Sequence, residues 1–102
     1  MDICYYNTQL KDELDGATAY IQRAMHMKRD HPTWATMYAK MSSAELEHAS
    51  AIMKMFEEDY KLTTSKMEKV PDCLIAVRTT LMDMYSEYTS KIKYSHETYE
   101  SL

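Results

Sequence analysis

The chain has 102 residues, 45% of them hydrophobic, with one glycine and two prolines. That length fits a single domain near the lower end of the range in which a hydrophobic core alone holds a fold, and a composition so poor in turn formers favours long helices over strands. Twelve basic and sixteen acidic residues give a net charge of −4, and with no basic block to follow a phosphate backbone they argue against a nucleic-acid partner.

The opening segment MDICYYNTQL lacks the basic and apolar regions of a signal peptide, and no apolar run is long enough for a bilayer. Cys4 and Cys73 fit no zinc spacing and are too few for a disulfide framework. A soluble cytoplasmic protein with no membrane partner is the expectation. A first helix is expected over about 8–29, capped by Asn7 or Thr8, with Leu10, Leu14, Ala17, Ile21, Ala24 and Lys28 at helical spacing. RDHPTW breaks the chain, and Pro32 suits the first turn of a second helix over about 33–60. Its apolar positions are Trp34, Met37, Tyr38, Met41, Ile52, Met55 and Phe56. KLTTSKMEK reads as a linker, and Pro71 opens a third helix over about 72–100 with the stripe Leu74, Val77, Leu81, Met84, Tyr88, Ile92 and Tyr99. The short first turn makes an antiparallel hairpin.

Glu45 and His48 interrupt this pattern. At about 100° per residue, Glu45 points into the middle of the apolar stripe of the second helix and His48 lies roughly 60° to one side, whereas Glu47 points away. On the first helix, Glu13 stands beside Leu10, Ala17 and Ala24, and Tyr20 returns to nearly the same direction. Counted from the turn, Glu13 lies roughly 27 Å along the hairpin and Glu45 and His48 roughly 21 and 25 Å, so the three can meet at one level. A carboxylate taken out of water needs a proton or a cation. No lysine or arginine is expected on these faces, which leaves a metal ion as the remaining partner.

Glu13 with Tyr20 seven residues on, followed by Glu45-Leu-Glu-His48, resembles half of the metal site of the ferritin-like superfamily, over roughly residues 8–60. The chain is too short for the four helices and two half sites of the full bundle. It is most similar to the encapsulated ferritins, whose short chains pair to form one di-iron centre, and DELDGATAY is similar to their first-helix motif. The resemblance implies an all-α fold in which an antiparallel hairpin plus a third helix is completed to a four-helix bundle by homodimerisation. It implies Glu13, Glu45 and His48 as metal ligands and catalytic residues, with Tyr20 behind them. Asp12 and Asp15 occupy positions where that branch carries acids proposed to guide metal inwards. The implied activity is an oxidoreductase, a ferroxidase oxidising Fe(II) for iron storage or detoxification. The implied partners are a second copy or a higher oligomer of dimers, and an encapsulin compartment, although HETYESL is unlike a shell-targeting peptide. Four glutamates and two neutral histidines around a two-fold axis balance two divalent cations. Carboxylate and imidazole donors suit iron or manganese, and zinc or cobalt fit the same place.

Other readings stay open. A rubrerythrin-like or manganese-catalase-like peroxide scavenger uses a similar ligand set, and a metal-free helical oligomeric interaction protein would use the same Glu and His as a hydrogen-bonded pair. Met25, His26, Met27 and His31 suggest copper but have no matching cluster elsewhere. Glu87 and Tyr94 repeat the spacing of Glu13 and Tyr20, yet their direction on the third helix places them towards water. Gly16 reads either as a close approach of two helices or as a tolerated helix defect.

Overall fold

A computed structural model describes residues 1–102 as three helices: α1 (Ile3–Met27), α2 (Pro32–Thr64) and α3 (Asp72–Ser101). α1 begins earlier than the expected Asn7 or Thr8 because Asp2 caps it, its Oδ1 accepting from the Tyr5 amide at 3.0 Å. Pro32 occupies the first turn of α2, as its fixed φ favours. α2 runs through the first half of the expected linker. Thr64 donates to the Tyr60 carbonyl and Ser65 Oγ to that of Leu62, which occupies carbonyls at the helix end. At the start of α3, Pro71 is the extended N-cap residue and Asp72 places an acid in the first turn, complementing the helix dipole. No helix is long and apolar enough to cross a membrane.

α1 and α2 form the antiparallel hairpin. The stripe on α1 is buried as its spacing requires, with Leu10, Leu14, Ala17, Ile21 and Ala24 all at 1% exposure or less. α3 returns parallel to α1, packing mainly along it and more lightly on α2. Its Leu81 and Ile92 enter the core with Ile52, Met53 and Phe56 of α2, while Val77, Met84 and Tyr88 pack around them. Polar contacts pin the two ends. At one, Tyr6 Oη donates to Asp59 Oδ2 at 2.9 Å and Arg78 Nη2 to Glu57 Oε2 at 3.0 Å. At the other, Lys28 Nζ donates to the Tyr99 carbonyl and lies over the Tyr99 ring.

α2 departs from the expected single apolar face. Its buried positions are Ala35, Ser42, Ala49, Ile52, Met53 and Phe56. Trp34, Met37, Met41 and Met55, expected inside, are between 41% and 59% exposed. The small residues allow α2 to lie close to α1, and the resulting rotation turns the larger apolar side chains outwards on the flank that α3 does not cover. With helices of 25, 33 and 30 residues the bundle is long and thin, with extents of 59 × 16 × 16 Å and a radius of gyration of 16.5 Å, against about 13 Å for a compact chain of this length. Its accessible surface is 6925 Å², against about 6,000 Å² for a compact monomer of its mass.

Candidate metal centre

The hairpin brings Glu13, Glu45 and His48 together on the open flank. One ligand atom from each lies within 4.8 Å of the others, and no other group of three such side chains forms in the chain. Their depth matches the expectation, but their burial does not. Glu13 and Glu45 are half-buried, and the His48 side chain is 60% exposed. The physical reason is the rotation of α2: the face carrying Glu45 and His48 meets α1 only along its edge.

His48 Nδ1 stands 3.3 Å from Glu13 Oε2. When Nδ1 carries the proton and donates to that carboxylate, the Nε2 lone pair is free for a cation. Hydrogen bonding to Glu13, then burial and the charge of Glu13, raise the Glu45 carboxyl above its ordinary range, and His48 opposes this. Two carboxyl groups this close disfavour each other's charge, and a cation between them relieves that cost. The donors are two carboxylates and an imidazole, with no thiolate among them, a set suited to iron or manganese. The residues therefore fit a divalent cation in kind, while three donors fall short of the six-coordinate shell of a hard cation.

Gly16 belongs to this geometry, and of its two sequence readings the close approach of two helices fits, not the tolerated defect. A Cβ at Gly16 would stand 3.1 Å from Glu45 Oε2, so the bare backbone of α1 leaves the room that the carboxylate occupies. The available signal was its place three residues after Glu13, on the same side of the helix.

Tyr20 lies outside the cluster. Its ring centroid is 6.1 Å from that of Tyr38. Tyr20 is seven residues after Glu13 and Tyr38 seven before Glu45, so antiparallel helices place the acids in one layer and the tyrosines in another, two turns nearer the chain reversal. Asp12 is exposed, and Asp15 is exposed and paired with Lys11 at 2.9 Å, which holds its carboxyl below the ordinary range. Glu47 is exposed on the α3 side of α2. Glu87 faces water, 3.3 Å from Lys91, and Tyr94 is 71% exposed. Of the residues that suggest copper, His31 stacks on Trp34 with centroids 4.4 Å apart, and none joins a metal-capable group. No protein family, curated protein or solved structure matches this chain.

Proposed function

We propose that the chain is a ferroxidase whose Fe(II) substrate binds Glu13, Glu45 and His48 at a centre shared by two copies. The observation that carries this reading is the convergence of two carboxylates and an imidazole from two helices within 4.8 Å, on the flank left open by α3. Iron supplies the redox chemistry, each Fe(II) giving up one electron to oxygen or peroxide. The two carboxylates balance the charge of the cation, and binding relieves the repulsion and burial that raise the Glu45 carboxyl in the metal-free protein. His48 presents Nε2 while Glu13 orients the ring through Nδ1. A second copy related by a two-fold axis supplies the missing donors, and its apolar surface covers Trp34, Met37 and Met41. Such a pair encloses no mineral, so storage requires a larger assembly or an encapsulin compartment to receive the ferric product.

Stopped-flow Fe(II) oxidation tests this. Glu13→Ala, Glu45→Ala and His48→Ala should each lose most of the rate, and Glu47→Ala and Glu87→Ala should keep it. A peroxide-scavenging activity at the same centre would appear as peroxide consumption exceeding Fe(II) oxidation. The His48–Glu13 contact also favours a second reading, a metal-free interaction protein. In that case His48→Ala destabilises the apo protein and leaves iron oxidation at the parent level.

A further inference from the structure

Gly16 is the only glycine in the chain, and it sits inside α1. In a helix interior glycine costs about 1 kcal/mol relative to alanine. It adopts no positive φ here, so backbone conformation does not require it. What distinguishes the position is the neighbour across the hairpin. A Cβ would meet Glu45 Oε2 at 3.1 Å, its Cδ at 3.4 Å and its Cγ at 3.6 Å. The neighbours are one side chain's carboxyl end, not backbone.

A second contact fixes the helices at the same level. Ser42 is fully buried and its Oγ donates to the Ala17 carbonyl at 2.7 Å. That uses the one hydroxyl hydrogen, so the 2.9 Å contact with His96 Nε2 is a hydrogen bond donated by the imidazole. α2 is therefore latched to α1 one residue beyond Gly16 and held from α3 as well. With the backbones latched, a methyl group at position 16 is accommodated by moving the Glu45 carboxylate.

We infer that Gly16 is a positioning residue for the metal centre, its missing side chain seating the Glu45 carboxylate against α1 and towards Glu13. This rests on the metal reading proposed above. Gly16 touches no cation and donates no ligand. It sets where Glu45 ends, and hence the spacing of the two carboxylates.

The consequence is a separation of stability from affinity. Gly16→Ala gains helix propensity and displaces only a flexible side-chain end, so the metal-free variant should melt at the parent temperature or a few degrees above it. Its affinity for metal should fall by about 10-fold or more, the range seen when groups that orient ligands are lost. The experiment is an anaerobic titration of parent and variant with Fe(II) by equilibrium dialysis and with Co(II) by visible absorption, beside thermal unfolding of the metal-free proteins. Equal metal affinity and equal Co(II) spectra in parent and Gly16→Ala would overturn the inference.

A parent protein that binds neither ion would overturn the metal reading itself, and the inference with it. Should Gly16→Ala fold poorly, a double-mutant cycle with Glu45→Ala resolves the contact. Removing the Glu45 side chain should restore folding and let the alanine raise the melting temperature. If Gly16→Ala is as damaging without the Glu45 side chain as with it, the neighbour that matters is not Glu45 and the assignment is wrong.

Discussion

His96 shows how a single half-buried group sets a pH dependence. Burial lowers its pKa, and Glu100 only partly opposes that. Its Nε2–H is committed to Ser42 Oγ. Above about pH 6.5 the imidazole is neutral in both folded and unfolded chains and contributes no pH dependence. As pH falls below that value, the unfolded chain takes up a proton that the fold resists, and stability drops until the folded pKa is passed. The contribution is thus present at neutral pH and lost on acidification. Urea midpoints at about pH 7.5 and about pH 5.5 should differ less for His96→Gln than for the parent, the glutamine amide keeping a donor for Ser42. Equal differences would remove His96 as the source.

Along α2, adjacent residues meet opposite environments. Phe56 is fully buried against Tyr6 and Tyr60, with ring centroids at 5.4 and 5.9 Å, while Met55 is 49% exposed. Phe56→Ala should cost about 3–5 kcal/mol, a large share of the stability of a small domain, and Met55→Ala should stay within about 0.5 kcal/mol in the monomer. Chemical denaturation measures both. This contrast explains what was legible in the sequence. α1 carries one apolar stripe, and Leu10, Leu14, Ala17, Ile21 and Ala24 are all buried as their spacing indicates. α2 carries two, and summing large apolar side chains merges them, because Ala35, Ser42 and Ala49 weigh little in hydropathy although they form the seam with α1. Glu13, Glu45 and His48 were legible as neighbours from spacing and depth. Their exposure was not, since it depends on which stripe α1 selects; Gly16 was legible as a close helix approach, but not as the space left for one particular carboxylate.

At the scale of the whole molecule, one flank of α2 carries Trp34, Met37 and Met41 exposed as a patch, on the helix that also supplies Glu45 and His48 to the metal-capable group. Apolar surface in such a patch favours association. If that flank is where two copies meet, Met41→Glu should leave the thermal stability of the isolated monomer within about 0.5 kcal/mol and shift the light-scattering mass towards one chain. A surface charge of the same kind at Met82, which is 40% exposed on α3, should not change the mass. Loss of association with Met82→Glu but not with Met41→Glu would place the contact on the other side of the bundle.

The two connections of the chain differ in how much change of length they can absorb. Residues 28–31 reverse the chain almost without leaving helical bonding, the His31 amide bonding the Met27 carbonyl at 2.8 Å and the Ala35 amide that of His31 at 2.9 Å. This reversal acts as a gauge, since it aligns the acid layer with the acid layer and the tyrosine layer with the tyrosine layer. One residue added to α2 at its start moves every later side chain by about 100° and 1.5 Å. Residues 65–71 have no such duty, because α3 brings no ligand to the cluster. Insertions should therefore be unequally tolerated. Two glycines added after Lys69 should leave Co(II) binding intact and lower stability by less than about 1 kcal/mol, whereas a single residue inserted after Asp30 should weaken Co(II) binding even where circular dichroism shows the helices retained. A lineage of such chains would be free to drift in the length of its second connection and held to one length in its first.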